Sequence, residues 1–413
     1  MRGRLLLALG ACVFVVAAPS ASGQIATAGA PATATYIVVF KPGAVASAGV
    51  PAAARGLTRA ETGTLRFVYQ HALKGFAVRA SSAEAAALAR DSRVAYVEPD
   101  QPVHAVGMER QPTWGLDRVD QRDLPLNKMY NYNQTGQGVN AYIIDTGILA
   151  THREFTGRVG IGADFVGDGN GTNDCNGHGT HVAGTTGGSA FGVAKQVTLH
   201  AVRVLNCGGS GLVSAAIAGV DWVTANHASP AVANMSLISG GSTAMDTAVA
   251  NSIGSGVTYA VAAGNADADA CKYSPARVPA AITVGATTNT DARAEYSDHG
   301  SCLDIFAPGS SIKSAWASSN RATMTLSGTS MAAPHVTGAA ALYLQTNPDA
   351  SAAMVTQALI NNSTPNKVAG AGTGSPNRLL DSLLDTNLLR PPPIVGTATP
   401  FAPLPLQPLE AAR

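Results

Sequence analysis

From about residue 113 onward the chain alternates between two textures, and this alternation limits the fold more than any other feature. Short apolar runs of strand character, "GVNAYIID", "TLHAVRVL", "AVANMSL", "TYAVAAG" and "AITVGA", are separated by stretches such as "GHGTHVAGTTGG", "VSAAIAGVDWVTAN" and "MDTAVANSIGSG". The last is a helical stretch at 331–344, dense in Ala and Leu, with Pro334 close to its start; a proline suits only a first turn, which places the helix N-terminus near Gly328-Thr329-Ser330. Strand–helix alternation predicts an α/β fold, a parallel sheet flanked by helices. Ligands in such sheets sit at the carboxyl ends of strands, so the residues that close each strand are where chemistry is sought.

Residues 36–106 read differently, as a small α+β unit. "YIVVF" is a strand-like run, 43–55 is Ala-rich and ambiguous, and "LRFVYQ" and "GFAVRA" flank a short turn as a hairpin does. Ser81 with Glu84 forms a candidate capping box that opens the helix "SAEAAALARD" before a last strand, "VAYVEPD". The order βαββαβ is that of a ferredoxin-like plait. The start of the chain combines a basic "MRGR", an apolar "LLLALGACVFVVAA" and small residues in "PSASGQ". That is the pattern of a secretory signal peptide at 1–22, cut near Ser22–Gly23. A lipoprotein reading at Cys12 fits less well, because the apolar run continues past it. The tail, 389–413, is Pro-rich, without periodicity, and reads as extended.

With 413 residues there is room for two or more domains. Lys+Arg at 27 nearly cancel Asp+Glu at 26 with no basic cluster, which argues against nucleic acid or an anionic membrane as partner. No later run reaches the roughly 20 apolar residues of a membrane span. Export makes cysteine pairing the default. Setting Cys12 aside leaves Cys175, Cys207, Cys271 and Cys302, and no C-x-x-C spacing suggests zinc. Of the three connectivities, the sequential one closes two loops of about 30 residues, each bridge contributing ~3–4 kcal/mol in the chain-entropy model.

Asp145 ends the strand "AYIID", His178 lies in a Gly-flanked turn entering a helix, Asn265 ends a third strand, and Ser330 opens the helix at 331–344. Each has an ordinary reading, Ser330 as a helix cap and Asn265 as a left-handed turn residue beside Gly264. Together they are a hydroxyl nucleophile, a base, a carboxylate to orient the base and an amide donor for a developing oxyanion. Their chain order, Asp–His–Ser, is the subtilisin order. A rival reading makes His178 and His181 zinc ligands, but the chain lacks H-E-x-x-H and a third ligand. A catalytically dead binding homologue is disfavoured by the intact set.

The motifs "YIIDTG", "NGHGTHVAG" and "LSGTSMAAP" resemble the three signatures of subtilisin-like serine proteases, and "AVAAGN" resembles their oxyanion segment. "PTWGLDRVDQRDLPLN", "DCNGHGTH", "AVRVLNC" and "SPNRLLDSLL" are similar to the proteinase K branch, aqualysin above all. The resemblance covers roughly 107–388, with 36–106 resembling the family's inhibitory propeptide. It implies a secreted, self-processing endopeptidase, cut near Val106–Gly107, with Ser330 as nucleophile, His178 as base, Asp145 as its orienter and Asn265 as oxyanion donor. Gly328, Ala332 and Ala333 would leave room at the catalytic turn. His181 reads as structural. Polypeptide substrates, bearing large apolar residues before the scissile bond, would lie between "GGSGLV" (Gly209, Ser210, Gly211) and "SLISGG" (Ser236, Leu237, Ile238, Ser239), beside Gly264. Ile238 and Ser239 stand where the family has glycines, and should narrow the primary pocket. The resemblance also implies structural calcium (Ca2+), at Pro279, Ala281 and Asp304 and again at Asp117, Asp120, Gln121 and Asn127, with no catalytic cofactor. A monomer is expected, with the propeptide as its own inhibitor.

Overall fold

The structure, a computed structural model, describes residues 33–61, 63–71, 73–100 and 107–384. The signal-peptide reading at 1–22 with Cys12, residue Val106 of the cut site, and the tail at 389–413 lie outside the described residues. Contacts divide the chain into two units, with the break between 103 and 104.

The first unit contains β1 (Thr33–Phe40), α1 (Val50–Ala60), β2 (Thr64–Tyr69), β3 (Gly75–Ser81), α2 (Ser82–Leu88) and β4 (Val94–Pro99). Its antiparallel sheet has the order β2-β3-β1-β4, which is the ferredoxin-like plait read from the sequence. Alternate residues Tyr36, Val38 and Phe40 of β1 join Phe76 and Val78 of β3 in one buried core, as the period of two requires. The ambiguous Ala-rich stretch resolves into a single 3₁₀ turn (Ser47–Gly49) and then α1, which starts later than the stretch did because Pro51 suits only a first turn. At α2 the capping box is complete: Ser81 Oγ accepts from Glu84 N–H while the Glu84 carboxylate takes the N–H of Ser81.

The second unit is built on one sheet. Its strands are β5 (Asn140–Asp145), β6 (Ala163–Asp164), β7 (Thr198–Arg203), β8 (Ala231–Met235), β9 (Val257–Ala262), β10 (Ile282–Thr287), β11 (Ile305–Pro308), β12 (Thr364–Pro365) and β13 (Arg378–Leu379). Their order is β12-β13-β11-β10-β9-β8-β5-β7-β6, parallel except for the β12–β13 pair at one edge. Both faces are covered, so the central strands are buried on both faces and mostly apolar, with buried polar exceptions such as His200, Arg203 and Asn234. Along β5, Ala141 and Ile143 enter one core, and Tyr142 and Ile144 the other.

The helices of this unit are α3 (Trp114–Val119), α4 (His178–Gly187), α5 (Val213–Asn226), α6 (Thr243–Gly254), α7 (Thr329–Thr346) and α8 (Ala352–Asn362). Helix α7 packs on α4 and on β8 to β11, and is buried over nearly its whole circumference. Small residues allow that approach: a Cβ on Gly338 would come within 2.6 Å of Val193 Cβ. The chain leaves β5 toward β6 and β7 on one side and returns to β8 on the other. The carboxyl end of β5, where Asp145 sits, is therefore the switch point of the sheet, where a crevice opens.

Helix α7 starts at Thr329, within the Gly328–Ser330 stretch where the sequence places its N-terminus, but Pro334 is its sixth residue and not part of its first turn. Proline interrupts a helix because it offers no N–H to the carbonyl four residues back. Here that carbonyl belongs to Ser330, and it accepts instead from the hydroxyl of Ser236 at 2.8 Å.

Candidate active site

Asp145 is fully buried, and its carboxylate meets His178 Nδ1 at 2.8 and 3.0 Å, with Oδ1 also accepting the N–H of Thr146. His178 is the first residue of α4, with a quarter of its side chain exposed. Burial works against its imidazolium, but the charge and hydrogen bond of Asp145, with the charge of Asp174, outweigh it and hold the pKa above the ordinary histidine value. Nδ1 is thus the donor nitrogen, leaving Nε2 to take up a proton.

The turn before His178 has no cap of its own, since Gly177 stands at its N-cap with φ of +114°. Asp174 supplies one. It is buried, and its two oxygens accept from Thr146 Oγ1, from the N–H groups of Asn176, Gly177 and Thr180, and from Thr180 Oγ1, all within 2.7–2.9 Å. A carboxylate at a helix N-terminus is favoured by the dipole as well as by these bonds.

Ser330, the second residue of α7, is tied to Ser236 in both directions: its Oγ donates to the Ser236 carbonyl at 3.2 Å, and its own carbonyl takes the Ser236 hydroxyl. Its backbone N–H lies among those that a helix leaves without an intrahelical partner. Asn265 follows the end of β9 and is exposed. Its Oδ1 accepts from both the N–H and the Oγ1 of Thr329, at 2.8 and 2.9 Å. A backbone N–H can only donate, so the amide's orientation is fixed and Nδ2 is the group left to donate.

A cleft of about 380 Å³ is bordered by His178, by residues 209–211 on one side and by 236–239 on the other. The two segments read from the sequence therefore meet, although neither is a long strand. Residues 206–210 form a turn closed by Asn206, and only Ser239–Gly240 has a ladder partner, in Tyr273–Ser274. Leu205, Leu212, Val213 and Met245 make the cleft's apolar wall; Leu212 and Val213 close the segment "GGSGLV" read from the sequence, whereas Leu205 and Met245 carry no signal there that sets them apart from core residues. Ile238 is 40% exposed, whereas the Ser239 hydroxyl turns onto the Gly240 carbonyl. Gly264, at φ of +119°, is behind this edge: a Cβ there would lie 3.3 Å from Ile238 Cδ1 and 2.1 Å from Asp298 Oδ2. Gly328 is open, with Asn265 Nδ2 at 3.5 Å from its Cβ position, and Ala332 and Ala333 are fully buried.

His181 is buried, bonded through Nε2 to the carbonyls of Ile312 and Met324, and its pKa falls to about 4 on burial. Among the described residues, the group of His, Cys, Asp and Glu side chains close enough to share an ion is Asp168, Cys175 and Cys207, without a histidine. Its sulfurs are joined, for the pairing is sequential: Cys175–Cys207 and Cys271–Cys302, with Cα atoms 5.0 and 5.3 Å apart. The zinc reading of His178 and His181 finds no support.

At the two expected calcium sites the donor chemistry suits a hard cation. Gln121 donates through Nε2 to the carbonyls of Asp123 and Pro125, so its Oε1 is the free end; that atom and Asp120 Oδ1 are buried without a hydrogen-bond partner. Asp117 instead spends both oxygens on the N–H groups of Asn127 and Lys128, and Asn127 Oδ1 accepts from Met129. Asp304 accepts from Thr283 N–H, which brings it to the start of β10 just after Ala281; Pro279 lies exposed two residues earlier. Burial pushes Asp120 and Asp304 each up to about 6, as expected of carboxylates lacking a positive partner.

A carboxylate-oriented imidazole bordering a cleft at the switch point of a parallel sheet, and a serine at a helix N-terminus bonded to Ser236 of that cleft's edge, define the class of serine hydrolases. Comparison with known proteins narrows this. The model of the Subtilase family matches residues 136–379, and that of Peptidase inhibitor I9 matches 35–105. The Extracellular serine proteinase of Thermus sp. (strain Rt41A) is 62% identical over 313 residues, 76% of this chain and 76% of that protein. The Alkaline serine exoprotease A of Vibrio alginolyticus is 52% identical over 78% of this chain, which spans 60% of that protein's length. The crystal structure of a cold adapted subtilisin-like serine proteinase matches with 55% identity and a TM-score of 0.65, over 67% of this chain and all of that one. This chain belongs to the subtilase family; it is a serine peptidase with an inhibitor I9 domain ahead of its peptidase domain.

Proposed function

We propose that the protein is an exported endopeptidase made as a self-processing zymogen, with a signal peptide at 1–22, an inhibitory propeptide at 36–106, a peptidase domain at 107–388 and a Pro-rich tail at 389–413. The hydroxyl of Ser330 leaves the Ser236 carbonyl, passes its proton to His178 Nε2 and attacks the scissile carbonyl carbon. The oxyanion is held by Asn265 Nδ2 and the Ser330 N–H, at the positive end of α7. Collapse breaks the C–N bond as His178 returns the proton to the departing amine, leaving an acyl-enzyme. Water then repeats the sequence with His178 again as base, and frees Ser330. Asp145 keeps Nδ1 protonated and stabilises the imidazolium.

The observation that carries this reading is the Asn265 amide, oriented by Thr329 so that its donor end is free beside the serine. Apolar side chains along the cleft favour hydrophobic residues before the scissile bond. Asp120, Gln121 and Asp304, aided by Asp117, Asn127 and the Pro279 and Ala281 carbonyls, would hold calcium; bound there, the ion neutralises buried carboxylates and takes no part in the reaction. Extracellular location is favoured by the disulfides and by the name of the Thermus relative.

The test is Ser330→Ala. Turnover of casein should fall by on the order of 10⁶, and the precursor, expressed in a protease-free host, should accumulate uncut near Val106–Gly107. Comparable casein cleavage by the variant would refute the mechanism, and normal maturation would refute self-processing.

A further inference from the structure

Asp298 is fully buried and was not among the residues picked out from the sequence. Its backbone N–H donates to the Gly264 carbonyl at 2.9 Å. Its Oδ1 accepts the N–H of Ala266 at 2.8 Å and that of Ala268 at 2.9 Å. One residue thus grips the chain on both sides of Asn265. Its Oδ2 is buried with no hydrogen-bond partner and points at Gly264, 2.1 Å from where a Cβ would stand. Only glycine lets the carboxylate this close, and the φ of +119° there already favours glycine.

A buried carboxylate oxygen without a partner is destabilising. Folding alone does not account for such a group, and a buried polar group left unsatisfied calls for an explanation of its own. Oxyanion donors have to stand in position before the charge appears, because reorganising them during the reaction would forfeit their effect. Thr329 fixes the Asn265 amide plane, but a side chain is no steadier than the backbone that carries it. We propose that Asp298 is a positioning residue for Asn265: it clamps residues 264–268 so that the Asn265 amide is held at the oxyanion. This rests on Asn265 being the oxyanion donor.

The experiment is a double-mutant cycle on the mature enzyme, measuring kcat and KM on one peptide substrate for Asp298→Ala and Asp298→Asn, each with and without Asn265→Ala. Asp298→Ala should lower kcat about 10–100-fold, the scale of a small misplacement, with KM within about twofold, since the oxyanion exists only beyond the ground state. Asp298→Asn keeps an Oδ1 acceptor and should restore most of kcat. In the Asn265→Ala background, Asp298→Ala should cost less than about threefold more, because residues that act as a unit are not additive. An unchanged kcat in Asp298→Ala, or an equal loss in both backgrounds, overturns the clamp. An unchanged kcat in Asn265→Ala would instead sink the oxyanion assignment, and the clamp with it. Should Asp298→Ala fail to fold, Asp298→Ser, too short to span both N–H groups, takes its place in the same cycle.

Discussion

At His178 two opposed influences meet: burial disfavours the imidazolium, and Asp145 and Asp174 favour it more strongly. The base must be neutral to accept the serine proton, so a raised pKa moves the acid limb of kcat/KM upward. That limb should have its midpoint above about 6.5, the ordinary histidine value. Asp145→Asn removes the raising charge, so it should shift the limb to lower pH while cutting kcat by on the order of 10⁴; a limb that stayed in place would show that another group titrates. Ile238 sets a second residue-scale expectation. Its side chain reaches the Gly264 position from an exposed place on the cleft, while the Ser239 hydroxyl is turned to backbone. Ile238→Gly should therefore raise kcat/KM for Phe relative to Ala before the scissile bond by about 10-fold, the worth of roughly a methylene or two, and Ser239→Gly should change that ratio little. Equal ratios in wild type and Ile238→Gly would place Ile238 outside the primary pocket. Asp145, His178, Asn265 and Ser330 were legible because each closes or opens a strongly patterned element. Asp174 and Asp298 were not, because a polar residue inside a loop carries no period, and its role depends on which N–H groups the fold brings to it; Thr329, at the start of α7, looks like any first-turn residue until the fold brings Asn265 to it.

Among the elements, those with sustained patterns were legible and those fixed by tertiary contact were not. Strands β5, β7, β8, β9 and β10 are mostly apolar and carry no regular polar–apolar alternation, which marks them as buried on both faces of a parallel sheet. The two-residue strands β12 and β13 exist only through their pairing with each other and with β11. Pro334 sits beyond the first turn of α7, where sequence rules do not expect it, for a similar reason: its cost is a lost bond to the Ser330 carbonyl, and a distant side chain, Ser236, makes that bond instead. The Cys175–Cys207 bridge acts at the same scale. It joins the turn before α4 to the cleft edge at 209–211, and Asn176 reinforces the tie through the Cys207 carbonyl and the His178 N–H. Replacing both cysteines by serine should lower stability by about 3 kcal/mol on the chain-entropy model. It should also raise KM more than it lowers kcat, because the edge that receives substrate loosens while Asp145 still holds His178. Thermal unfolding and peptide kinetics on the double variant check the two halves separately, and a stability within 0.5 kcal/mol of wild type, roughly the noise of a neutral surface change, would exclude the structural role.

For the whole molecule, calcium and pH should be linked through Asp120 and Asp304. Both carboxyls sit at about 6 in the folded chain without cation, against about 3.9 for an unfolded aspartate. The sign follows from proton counting: between those values the folded state binds more protons than the unfolded one, so cation-free stability is fullest below about pH 4 and is lost as pH rises through 6. A bound calcium ion reverses the loss, since it pairs with the ionised carboxylates and with the free oxygens of Asp120 and Gln121. Protons and calcium therefore compete for the same groups, and the stabilisation by calcium should be nearly absent at pH 5 and complete above pH 7. At 100 times its dissociation constant, calcium contributes ~2.7 kcal/mol, or roughly 5 °C in Tm for a domain of about 280 residues. Unfolding scans of the Ser330→Ala protein, which cannot digest itself, in calcium and in EDTA at pH 5, 6, 7 and 8 measure this directly. Asp304→Asn and Asp120→Asn, which remove the titrating group and keep the shape, should each flatten part of the pH dependence of the calcium effect. An EDTA effect equal at pH 5 and pH 8 would mean that neither aspartate holds the ion, and no effect at any pH would remove calcium from the account of this protein's stability.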